Sequence, residues 1–163
     1  MTILGMSTAL ALILSYLESL IPYYFGVPGM KLGLPNLAVV LLLLMGDPVG
    51  ALIVNLLRIV LSGFLFGSLY GILFSIAGAL VSFGMMLLLW RSRRFGASGI
   101  SIGGGTAHNL GQLMIAAWVV RTPGILYYAP ALIAAGALTG FVIGIAAGAS
   151  LPAIRSVYDK EKL

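Results

Sequence analysis

The chain has one histidine among its 163 residues. It stands in GISIGGGTAHNLGQLMIAAWVV (99–120), immediately before Asn109 and four positions before Gln112. Positions four apart share a helical face, so His108 and Gln112 point the same way with Asn109 beside them. An imidazole and two carboxamides each offer hydrogen-bond donors and acceptors. That is chemistry for holding a small polar molecule.

Similar groups recur along the chain. Asn55 and Arg58 in NLLRIVLSGFLFG (55–67) are three apart and share a face, Glu18 interrupts the first apolar run, and PGMKLGLPN (28–36) carries Lys31 and Asn36. In a ligand site, Asn36, Asn55, His108, Asn109 and Gln112 would supply hydrogen bonds. Lys31 and Arg58 would offer charge to an anionic or electron-rich group, with Glu18 as counter-ion to Arg58 or as partner to an amine. Each also has a plainer role: Glu18 with Arg58 as a buried ion pair, His108 as a satisfied core histidine, and the amides as interhelical ties. Several such groups at one depth on three segments favour a shared site over separate ties.

Bond-breaking chemistry finds little support. With no cysteine there is no disulfide, thiol nucleophile or thiolate metal site. One histidine without a carboxylate beside it in sequence is a poor metal pattern. The triplet Gly103–Gly105 resembles a phosphate-cradling turn but lacks the following GK[ST] and a preceding strand. It fits better as a place where the helix thins or breaks and the backbone nears a neighbour or a ligand. The expectation is a non-enzymatic protein without catalytic or metal-ligating residues and without a cofactor.

The elements that must position these groups are membrane helices. At 61% hydrophobic and 8% charged residues, with mean hydropathy +1.13, the chain has too little polar surface to cover itself in water. Crossing a hydrocarbon layer of about 30 Å takes about 20 apolar residues, so residues 1–163 read as a single integral membrane domain. LAVVLLLLM (37–45) and GMMLLLW (84–90) do not alternate as barrel strands would, so the fold class is an all-α, polytopic helical bundle. Apolar runs between Gly, Pro and charged breaks mark six spans, at about 3–21, 35–46, 48–64, 67–90, 99–120 and 128–150. The second and third are short and joined only by GDP (46–48), which suggests a tight or partly re-entrant hairpin. The first run lacks a basic start and a small-residue cleavage site, so it reads as a retained span.

Six spans put both termini on one side together with Arg91, Arg93, Arg94, Arg155, Lys160 and Lys162, and the excess of Lys and Arg makes that side cytoplasmic. The nine basic residues form no long run, which speaks for a plasma-membrane, multi-pass topology with the lipid bilayer as partner and against nucleic acid. With that orientation Glu18, Arg58 and the His108 group lie at mid-depth or in the outer half, and the inner half is almost purely apolar. An ionisable group in a span costs at least about 2.5 kcal/mol. The asymmetry therefore predicts a polar pocket open outward and closed below, since a channel would be polar at every depth. Small residues four apart recur, as at Ser7 and Ala11 or Gly136, Gly140 and Gly144, and let helices approach closely, either within the bundle or against another membrane protein.

Three stretches together, KLGLPNLAVVLLLL (31–44), NLLRIVLSGFLFG (55–67) and GISIGGGTAHNLGQL (99–113), resemble the Gx transporter family, also catalogued as heptaprenyl diphosphate synthase component I. Prenyl-diphosphate synthesis needs clustered aspartates to hold magnesium, and Asp47 and Asp159 stand alone. The family in turn is similar to the S components of energy-coupling-factor (ECF) transporters, small six-helix proteins that capture a vitamin or metal from outside. That resemblance implies a substrate-binding subunit for ATP-driven uptake, working with a membrane T component and ATPase subunits. It also implies docking through small residues of the first helix, here Gly5, Ser7, Ala9 and Ala11, with Ser7 in place of an alanine. Some members are associated with flavin-based extracellular electron transfer, which implies the alternative of a quinone-handling membrane subunit.

Overall fold

The computed structural model describes residues 2–20, 33–121 and 123–161. Lys31 lies outside them. The described residues form six α-helices: α1 Thr2–Leu20, α2 Asn36–Leu44, α3 Pro48–Phe66, α4 Leu69–Ser92, α5 Ala97–Val120 and α6 Ala129–Glu161, with a 3-10 turn over Pro123–Tyr128 before α6. Four of these, α1, α3, α4 and α6, are long and apolar enough to cross a membrane. α5 equals α4 in length at 24 residues. Glycines and the polar group dilute its hydropathy, and it packs between α4 and α6.

Helix limits follow local chemistry. The Asp47 carboxylate accepts the Gly50 N–H at 2.8 Å with Pro48 at the first helical position of α3, and the Ser68 hydroxyl accepts the Gly71 N–H at 3.1 Å at the start of α4. Gly46, at φ +86°, turns α2 into α3 within the three residues 45–47, a bend that the left-handed region allows glycine without strain.

The second expected span is corrected. α2 has nine residues, about 14 Å of helix, or half of a bilayer. Its start therefore lies inside the bundle, where backbone N–H groups find no water and must be covered by protein. The sequence NLAVVLLLL has no polar side after Asn36, which suits a helix enclosed all round. Ala38 to Leu43 are all buried, and they form the core with Ala11, Ala51, Val54, Phe83, Met86, Ile100 and Ala147 from the five other helices. α2 is a central half-helix around which the long helices are arranged.

Outward faces are apolar: Phe64 is 72% exposed, Leu69 72% and Trp118 76%. Surfaces of this kind are stable against lipid and aggregate in water. Inside, α5 and α6 meet along a seam of glycines. A Cβ on Gly140 would lie 2.5 Å from the Ser101 carbonyl oxygen, and one on Gly144 would lie 2.4 Å from Ser98 Cα. Without side chains there, two backbones come into contact. The triplet leaves α5 continuous: Gly103 and Gly104 make room for the Leu89 and Met86 side chains of α4, and Gly105 meets the Gly136 carbonyl backbone to backbone. α6 also runs through Pro152 to Glu161, so the charged segment near the C-terminus extends the helix past the sixth span.

Candidate functional site

Glu18 lies in the last turn of α1 and is buried despite its charge. Its Oε1 accepts the N–H of Gly33, the residue at which the described chain approaches α2. Gly33 has φ +73°, so the bend that aims its amide at Glu18 favours glycine. Across from Glu18, Arg58 rises from α3 and is held by two asparagines. Its Nε and Nη2 donate to Asn55 Oδ1 at 3.1 and 3.0 Å, and Nη2 also donates to Asn36 Oδ1 at 3.3 Å. Glu18 and this guanidinium border the same space. Two helices thus hold one arginine, α3 through Asn55 and α2 through its first residue, while the α1 carboxylate borders the same space.

The α5 group faces this lock from the other side. Asn109 is buried, and its Nδ2 donates to the Leu132 carbonyl of α6 at 2.9 Å. His108 and Gln112 lean on α4 at Gly78, where an added Cβ would lie 3.0 Å from His108 Cε1 and 2.8 Å from Gln112 Cγ.

Between these groups lies a cavity lined by Glu18, Gly33, Asn36, Val40, Arg58, Ser75, Met86, Ser101, Gly105, His108, Asn109, Thr139, Gly140 and Ile143. Of the residues nominated from sequence, Glu18, Asn36, Arg58, His108 and Asn109 line it. Asn55 stands behind Arg58 and orients it. Gln112 packs on Gly78 outside the lining. Ser75, Ser101, Thr139 and Gly140 also line it and carry no signal of this in the sequence. A lone hydroxyl in an apolar helix gives no signal, since it can bond its own backbone, as Thr139 Oγ1 does to the Ala135 carbonyl at 3.0 Å. Gly140 belongs to a small-residue pattern that speaks of packing, whereas Gly105 belongs to the triplet expected to bring the backbone near a neighbour or a ligand, and it borders the cavity.

The cavity is narrow and deep. Its free interior is about 30 Å³, room for two or three waters at about 10–15 Å³ each. Its lining reaches Met86 and Ser101, the latter only five residues into α5. The inner half of the bundle is therefore less purely apolar than the sequence suggested, because these side chains enter from helices whose composition is apolar on average.

The first helix divides its small residues between two environments. Ala11 is fully buried in the core and Ser7 partly buried, while Gly5 and Ala9 face outward.

The family model described as heptaprenyl diphosphate synthase component I matches residues 7–150. The chain belongs to that family, the Gx transporters. No curated protein and no solved structure matches it. In this Gx family member Asp47 caps α3 and does not line the cavity, and Asp159 falls in the last turns of α6.

Proposed function

We propose that this Gx family member is a non-catalytic, substrate-binding membrane subunit, similar to the S components of ECF transporters. It would hold a small solute in the polar cavity and pass it inward with an ATP-driven partner. What carries the reading is the convergence of Glu18, Asn36, Arg58, His108 and Asn109, from four helices, on one enclosed space in an apolar bundle. Burying that many polar groups in lipid is costly, and two ion-paired helices would need far fewer.

The cavity as it stands is much smaller than the roughly 300–1,000 Å³ of small-molecule sites. Capture of a vitamin-sized solute therefore requires the start of α2 to withdraw, with Gly33 leaving Glu18 and Asn36 leaving Arg58. The solute's own polar groups then replace those bonds. The outward-facing Gly5 and Ala9 of α1 are the small residues available to a T component. Both termini are cytoplasmic in this reading.

The test is extraction from native membranes in mild detergent, with co-purified small molecules and proteins identified by mass spectrometry. A stoichiometric polar solute whose affinity falls at least tenfold in Arg58→Gln supports the proposal, and co-purifying ATPase subunits support its partner. A bound quinone would move the chain to electron transfer. An empty cavity across conditions, with Arg58→Gln altering only stability, would reduce the polar groups to structural ties.

A further inference from the structure

The opposite end of the bundle carries a second, larger cavity, unrelated to the one described. It has a volume of about 910 Å³ and lies between the α2–α3 turn, α3, the end of α4 and α6. Its rim carries Arg91 and Arg93 from the end of α4, Arg155 from α6, and Trp90. All three arginines are exposed. Among the described residues no carboxylate lines it. Asp47, between two lining residues, spends its carboxylate on the Gly50 amide.

Below the rim the wall is apolar. It descends along α3 through Val49, Leu52 and Ile53 and along α4 through Leu87 to Phe83. Phe83 lies nine residues before the end of α4, about 14 Å deeper. Val49 and Ile53 are 67% and 42% exposed, so the wall opens sideways onto the lipid-facing surface. Guanidiniums and an indole at the polar boundary, above an apolar slot at hydrocarbon depth, are complementary to a molecule with an anionic head and an acyl tail. A soluble acidic peptide would meet the rim but leave the slot unused.

Arg93 adds a local sign. It caps α4 at φ +54°, in the left-handed region where glycine is the usual residue. The strained turn keeps a guanidinium at the rim where glycine would leave none.

We infer that this cavity binds an anionic phospholipid, its phosphate held by Arg91, Arg93 and Arg155 and one acyl chain along the slot from Val49 to Phe83. The experiment uses the full chain in neutral detergent and follows its thermal unfolding while phosphatidylglycerol or phosphatidylcholine is titrated in. Phosphatidylglycerol should raise the unfolding temperature saturably and phosphatidylcholine should not. Arg93→Gly, which relaxes the turn while removing the charge, should weaken the apparent affinity about fivefold, as should Arg155→Gln, with the two effects adding. Ile53→Trp, filling the slot, should weaken it without touching a charge. Equal stabilisation by both lipids, or unchanged affinity in the Arg93→Gly/Arg155→Gln double variant, would overturn the site. So would equal stabilisation by inorganic phosphate or by a soluble glutamate-rich peptide, pointing respectively to a bare anion site or a protein partner.

Discussion

Gly105 on α5 and Gly136 on α6 face each other backbone to backbone. A Cβ on Gly105 would lie 2.4 Å from the Gly136 carbonyl oxygen, and one on Gly136 would lie 2.6 Å from the Gly105 carbonyl oxygen. Gly105 also lines the polar cavity, so the contact that joins the two helices sets part of the width of the site. Either substitution to alanine must push two rigid backbones apart. Gly105→Ala and Gly136→Ala should each destabilise the protein by about 1–3 kcal/mol, measured by reversible unfolding in detergent. Gly84→Ala, where an added Cβ meets nothing, is the control and should be neutral or slightly stabilising. Equal behaviour of all three would refute the seam.

The arginine lock predicts a strong asymmetry between single and double variants. Arg58→Met leaves the Asn36 and Asn55 oxygens without their donor, removes a cation that borders the same cavity as the buried Glu18 carboxylate, and should cost about 1–3 kcal/mol. Glu18→Gln still offers an oxygen to the Gly33 amide. Combined with Arg58→Met it should therefore recover part of that loss, giving a coupling of about 0.5–3 kcal/mol in a double-mutant cycle. Additive losses would mean that the two side chains do not share an environment.

Asn109 ties α5 to α6 through the Leu132 carbonyl. Interhelical bonds of this type in membranes are worth about 0.6–2 kcal/mol, so Asn109→Ala should lower stability by that amount. Asn109→Asp should fare worse, because its carboxylate would meet a carbonyl oxygen. Gln112→Ala, off the cavity, should leave solute affinity within about twofold while Arg58→Gln abolishes it. A larger loss of affinity in Gln112→Ala than in Arg58→Gln would place the site against Gly78 and away from the cavity.

On α1, burial separates folding from docking. Ala11 is 0% exposed, so Ala11→Leu should cost about 1–3 kcal/mol of stability by overpacking the core. Ala9→Leu, on the outward face, should leave the isolated protein's unfolding unchanged and reduce co-purification of a partner subunit. Stable Ala11→Leu protein would contradict the packing. Undiminished partner recovery with Ala9→Leu would remove α1 from the docking surface.

Much of this was legible in the residues themselves. Hydropathy and the absence of alternation determine a helical membrane protein, because lipid tolerates no unpaired backbone. Glu18, Arg58, His108 and Asn109 stood out as candidates because each is expensive in lipid, and that cost is a property of the residue before any fold exists.

Other features depend on neighbours distant in sequence. NLAVVLLLL looks the same whether it faces lipid or protein, since both are apolar, and only the surrounding helices make α2 a buried half-helix that starts beside Glu18 and Arg58. Gly105, Gly136 and Gly140 carry no chemistry of their own, and their meaning arises when two backbones touch. Ser101 and Met86 enter the cavity, and Ala11 enters the core, because the angle at which helices cross decides which face turns inward. The sequence by itself determined the solvent this chain lives in and the polar groups it must shelter. The tertiary structure decided which of them meet, how narrow their cavity is, and that three arginines share a second one, because those are distances between segments that no local pattern encodes.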